Sequence, residues 1–214
     1  MNSRKLVGLF FKTLLIGGIT GLITSFFVNT DGIYTTYLDP VNVKELIGLV
    51  IFYTGFGFLS SVVSQTGFFA YLFINRFGLG FFKGMWPAVQ VLLIAFVAFD
   101  LVYFPYQETK GEVALYWYIL MSAAIVGYGL IIAKIKASQT NQRAFVPALF
   151  LMVVMTSVEW VPALRAEGTD YAWLMIVPLL ACNTYQLLVL HKLTRDEHGQ
   201  PIETNGKNQQ TNKK

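Results

Sequence analysis

Charge is scarce in this chain. Of its 214 residues only 13% are Asp, Glu, Lys or Arg, about half the share a soluble domain carries, and 55% are hydrophobic. Cysteine is nearly absent: Cys182 alone excludes an intrachain disulfide and a cysteine metal cluster, and its apolar neighbours mark it as a small packing residue. Histidine occurs only at His191 and His198, at and beyond the end of the last apolar block. Neither can stand beside a carboxylate and a nucleophile within an apolar interior, so a Ser-His arrangement is unsupported. H-E-x-x-H, P-loop and glycine-rich dinucleotide patterns are missing as well. These absences leave no catalytic residues, no cofactor and no metal-ligand set to expect, and an enzyme is not the reading they favour. A net charge of +4 would point a soluble protein towards nucleic acid. In a chain this apolar the distribution of charge matters more, and no nucleic-acid partner is expected.

What is present is a series of six apolar blocks: Leu6–Val28, Leu46–Ile74, Met85–Phe104, Val113–Ala133, Ala144–Ala163 and Tyr171–His191. About 20 residues at 1.5 Å rise cross a hydrocarbon core of about 30 Å. Five blocks fit one crossing each; the second is too long for one straight span and too short for two. The first follows Arg4 and Lys5 like a signal peptide, but about 23 apolar residues exceed a cleavable core, so it reads as a retained helix. The connections alternate in sign. Arg4 and Lys5, then Arg76 and Lys83, then Lys134, Lys136 and Arg143, then Lys192 and Arg195 mark one side. Asp31, Asp39 and Glu45 against Lys44, Glu108 and Glu112 against Lys110, and Glu167 and Asp170 against Arg165 mark the other. Six crossings with both termini inside produce that alternation, and an odd number would break it. The expected fold is therefore an all-α, polytopic integral membrane protein, a six-helix transmembrane bundle in the cell membrane. Residues 1–193 form the membrane domain, and the polar stretch 194–214 forms a disordered cytoplasmic tail.

Tyr34, Tyr37, Tyr103, Tyr106, Tyr116, Trp117, Trp160, Tyr171 and Trp173 fall at the outer ends of blocks or in outer connections, as an interfacial aromatic belt would, and Trp86 marks the inner side. Asp39-Pro40 is a good cap and first-turn pair for a second helix. At Ser64-Gln65-Thr66-Gly67 that helix either ends or kinks, with Phe68–Ile74 continuing along the inner surface, or runs on as one tilted rod; composition leaves both open.

Ionisable residues inside apolar blocks are functional suspects because hydrocarbon burial of charge is costly. Lys12 lies close enough to the inner side to snorkel. Asp100 and Glu159 both lie about one turn below the outer boundary, and would share an outer cavity if the third and fifth helices were neighbours. With Gln90 they form the candidate intramembrane polar site, and they would line the path of a small-solute or ion transporter, the alternative reading. Gln90, Asn183, Thr184 and Gln186 are placed to hydrogen-bond between helices, and Pro178 lies well inside its block and should kink it. Gly57–Ser61 and Ser60–Ser64 are small pairs at four-residue spacing that allow helices to approach closely.

The stretch Ser64-Gln65-Thr66-Gly67-Phe68-Phe69-Ala70-Tyr71, followed by Arg76-Phe77-Gly78-Leu79-Gly80, resembles the KinB-signalling pathway activation family of spore-forming bacilli. The resemblance extends to Ser3-Arg4-Lys5, to Thr13-Leu14-Leu15-Ile16-Gly17-Gly18, and to the stretch from Ala88-Val89-Gln90 to Phe99-Asp100-Leu101-Val102-Tyr103. It implies a regulator of a membrane sensor histidine kinase that feeds the sporulation phosphorelay, with that kinase and the lipid bilayer as partners. The matching residues coincide with the overlong second block and its basic loop. Gln65, Gly67, Phe68, Tyr71, Arg76, Phe77, Gly78 and Lys83 are thus the candidate partner-docking and signal region.

Overall fold

The computed structural model describes residues 3–28, 41–109, 114–164 and 169–193, and among them the chain is helical with no β-sheet. Helix α1 spans Ser3–Phe27 and α2 spans Val43–Phe82; a three-residue 3-10 turn, Lys83–Met85, leads into α3, Trp86–Glu108. Helix α4 is Leu115–Gln139. A second 3-10 turn, Gln142–Ala144, opens a composite rod of α5 (Phe145–Phe150), a π-helical turn (Leu151–Met155) and α6 (Thr156–Leu164), and α7 closes the series at Thr169–Leu193. Five segments are long and apolar enough to cross a membrane, Val43–Gln107 being continuous enough to count as one.

These helices accommodate their hydroxyl residues internally. Thr13, Thr20 and Thr24 return hydrogen bonds to the carbonyls of Leu9, Ile16 and Thr20, and Thr66 returns one to Val62, so these four hydroxyls need no partner outside their own helix. The same device explains why α2 does not break at Ser64-Gln65-Thr66-Gly67. Gln65 bonds Ser61 Oγ within the helix, Ser64 finds a partner on α7, and Gly67 is covered by a side chain of α6. Helix α2 is one rod of 40 residues, about 60 Å long. Its N-cap is Asn42, whose side chain accepts from the Glu45 amide. Asp39-Pro40 lies outside the described residues, as do the connections 29–40, 110–113 and 165–168 and the tail 194–214.

The helices assemble as two groups. Helix α1 packs mainly on α2 and α7, which also pack on each other; α3, α4 and α5 form the second group. The composite rod joins them, α5 lying against α3 and α4 while α6 lies against α7 and α2. Within the first group the backbones nearly touch. A Cβ on Gly17 would come within 2.6 Å of the Gly57 carbonyl oxygen, and one on Gly21 within 2.6 Å of Gly57 Cα. The small residues of α1 and α2 thus form a single flat contact.

Two of the belt tryptophans face inwards. Trp160 is buried and donates its indole N–H to the Ala172 carbonyl at 2.7 Å, tying α6 to α7. Trp86 is buried at the turn after α2: it stacks on Phe82, donates to Asn75 Oδ1 at 2.8 Å, and lies over Gly78, where a Cβ would sit 2.5 Å from its ring. Lys83, with φ of 49°, makes the reversal possible. Trp86→Phe keeps the ring and loses the N–H, leaving Asn75 Oδ1 only the longer bond from Gln90 Nε2, and is expected to cost about 1 kcal/mol, read as a lower unfolding midpoint in detergent. Tyr103, Tyr116, Trp117 and Trp173 are exposed, as a belt requires. Tyr34 and Tyr37 lie outside the described residues.

Candidate functional site

Three helices each bring a pair of residues spaced three apart to one centre: Ser64 and Gly67 from α2, Thr156 and Glu159 from α6, and Asn183 and Gln186 from α7. Three-residue spacing keeps both members on one helix face. The π-helical turn immediately before Thr156 shifts the register of its rod, and the Thr156 hydroxyl reaches back to the Leu151 carbonyl at 3.3 Å. Asn183 is the hub. Its Oδ1 accepts from Ser64 at 2.7 Å, and its Nδ2 donates to Thr156 Oγ1 at 2.9 Å and to Glu159 Oε2 at 2.8 Å. Gln186 Nε2 donates to Ser64 Oγ at 2.7 Å. All five polar side chains are buried, Glu159 being 6% exposed.

The chain of bonds leaves two oxygens over. Glu159 Oε1 and Gln186 Oε1 are buried with no hydrogen-bond partner. Glu159 Oε1 lies so close to Gly67 that a Cβ there would overlap it, so glycine at 67 is what admits the carboxyl group. The centre is therefore an oxygen-rich cluster in an apolar bundle, carrying one carboxyl group and no ion pair among the described residues.

The other sequence-derived candidates fall elsewhere. Asp100 is partly exposed on α3, and no hydrogen bond or ion pair links it to Glu159 among the described residues. Gln90 is buried near the α2–α3 turn, where its Nε2 faces Asn75 Oδ1 at 3.4 Å. Of the region from Gln65 to Lys83, Gln65, Gly67, Phe68, Tyr71 and Gly78 are turned into the bundle, whereas Arg76, Phe77 and Lys83 are exposed. Thr156 carried no signal of its own in the sequence, and Ser64 was marked only as a small or helix-ending residue, because hydroxyl residues are common in apolar helices. Lys136, counted with the basic connections, is buried at the end of α4 and donates to the Leu187 carbonyl of α7 at 2.7 Å.

A second feature is external. Phe73, Phe77 and Phe81 repeat every four residues along the last third of α2, stacked at 6.2 and 6.3 Å between centroids and all exposed. With Arg76 and Gly80 they line a shallow groove of about 440 Å³.

The profile of a family described as KinB-signalling pathway activation in sporulation matches residues 17–193 of the chain. The KinB-signaling pathway activation protein of Bacillus subtilis (strain 168) is 38% identical to it over 196 residues, covering 90% of this chain and 98% of that protein. No solved structure matches it significantly.

Proposed function

Because the chain belongs to the family of KinB-signalling pathway activation in sporulation, we propose that it is a multi-pass cell-membrane regulator that promotes the activity of a KinB-type sensor histidine kinase feeding the sporulation phosphorelay. Family membership is the observation that carries this reading. The long apolar helices and their many exposed Phe, Leu, Ile and Val side chains support lipid as the surrounding solvent. The reversal at Lys83–Met85 supports counting α2 and α3 as two crossings, which with the alternating charge of the connections favours six spans and an inside N-terminus.

The contact surface is the aromatic ridge. Helix α2 is about twice the length a crossing needs, and its last third bears Phe73, Phe77 and Phe81 outwards beside Arg76. Exposed aromatics with an arginine are the residue types that anchor protein interfaces. A photoreactive residue at position 77, in native membranes, is expected to capture the sensor kinase; capture of lipid or of its own copies alone would remove the ridge as the docking surface. Phe77→Glu is expected to lower kinase output about tenfold or more at unchanged protein level, measured with a phosphorelay reporter.

A further inference from the structure

We propose that the polar centre between α2, α6 and α7 is a binding site for one sodium-sized monovalent cation. The inference is independent of where the kinase docks. It starts from the two unpartnered oxygens. A carboxyl group buried in an apolar bundle is costly when ionised, and the usual remedies are a cationic side chain or a full set of donors. Among the described residues Glu159 has neither: its hydrogen bond is to Asn183, and its second oxygen, which lies against Gly67, has no hydrogen-bond partner. A proton on the carboxyl would join at most two oxygens in one hydrogen bond, whereas a cation is coordinated by several at once.

The donor set fits an alkali cation. Carboxylate, amide and hydroxyl oxygens are hard ligands, of the kind that hold hard cations in preference to transition metals. Glu159 supplies a single negative charge, which a monovalent ion neutralises and a divalent ion would overshoot. Gln186 Oε1 and the hydroxyls of Ser64 and Thr156 belong to the same bonded cluster, and the cluster spans three helices from both halves of the sequence. The π-helical turn just before Thr156 is a local irregularity of the kind found frequently at functional sites. Occupancy would draw α6 and α7 onto α2, the helix that carries the external ridge.

Trp160, adjacent to Glu159 and 6.3 Å from Trp173 between ring centroids, reports on the site. The full chain in vesicles is titrated with sodium chloride against choline chloride at constant ionic strength and fixed pH, following tryptophan fluorescence and the unfolding midpoint. A saturable fluorescence change and a rising midpoint are expected with sodium and not with choline. Glu159→Gln, nearly isosteric, is expected to weaken the apparent sodium affinity at least tenfold, Gln186→Leu to weaken it several-fold, and Asp100→Asn to leave it unchanged. No sodium response in the unsubstituted protein overturns the site, whatever the folding of the variants. So does a response that Glu159→Gln leaves intact. A response to pH alone, with sodium without effect, assigns Glu159 a proton and overturns the cation.

Discussion

Gly57→Leu is expected to abolish the accumulation of folded protein. A Cβ at this position would overlap the Gly17 carbonyl oxygen and approach Gly18 Cα to 2.9 Å, while Gly57's own carbonyl lies 2.6 Å from where a Gly17 Cβ would stand. Overpacking against side chains typically costs about 1–3 kcal/mol, because rotamers can yield. Here the obstacle is backbone on both sides, so α1 must move off α2, and it carries its contacts with α7 along. The opposing gain, better helix propensity than glycine, is only about 1 kcal/mol. The loss therefore wins by several kcal/mol, a large part of a typical stability of about 5–15 kcal/mol. Gly55→Leu is the control: it lies on the same helix with nothing within 4 Å of a Cβ, and is expected to be neutral or slightly stabilising. Monodispersity and unfolding midpoint in detergent separate the two; equal behaviour would rule out a close α1–α2 backbone contact.

Asn183→Leu is expected to destabilise by about 3–5 kcal/mol. Hydrogen bonds between helices in membranes average only about 0.6 kcal/mol each, so losing three bonds accounts for about 2 kcal/mol. The remainder comes from what is stranded: Glu159 loses the one donor it has among the described residues, and a buried charged group left unmet costs more than a neutral one. Removing the stranded partner tests this division. Asn183→Leu combined with Glu159→Met is expected to recover half or more of the loss, a coupling measurable by a double-mutant cycle on unfolding free energies. Simple additivity of the two substitutions would mean that the bond is of little consequence and that leucine merely fits badly.

How much of this was legible in the sequence varies with the feature. The block Leu6–Val28 became α1 within a few residues, because a long apolar run flanked by charge has few other stable forms. Hydropathy ends the second block at Ile74, because Arg76, Gly78 and Gly80 look like a loop. They remain helical to Phe82 because Trp86 folds back over Gly78 and bonds Asn75, a contact between residues on opposite sides of a turn. Nothing in Leu151-Met152-Val153-Val154-Met155 distinguishes a π-helical turn from an α-helical one; all five side chains are apolar and buried. Gln90, Asn183, Thr184 and Gln186 do hydrogen-bond across the bundle, Thr184 to the Tyr128 hydroxyl at 2.9 Å.

Glu159 shows where the two sources of information divide. That it is a residue to examine is visible in the sequence alone, because a carboxyl group inside an apolar run is unusual whatever surrounds it. Its company is not visible. Asp100 was the partner that apparent depth suggested, and depth is a one-dimensional coordinate. Whether Glu159 meets Asp100 or Gly67 and Asn183 depends on which helices adjoin and how each is rotated. Those are set by the close glycine contact of α1 with α2 and by the register shift before Thr156. Sequence by itself determined the helical class, the places of most of the helices and the residues too polar to ignore, since these follow from local hydropathy and spacing. Only the tertiary structure decided which oxygens are brought together and that Glu159 Oε1 and Gln186 Oε1 are among those left without a partner, since that is a property of packed surfaces far apart in the chain.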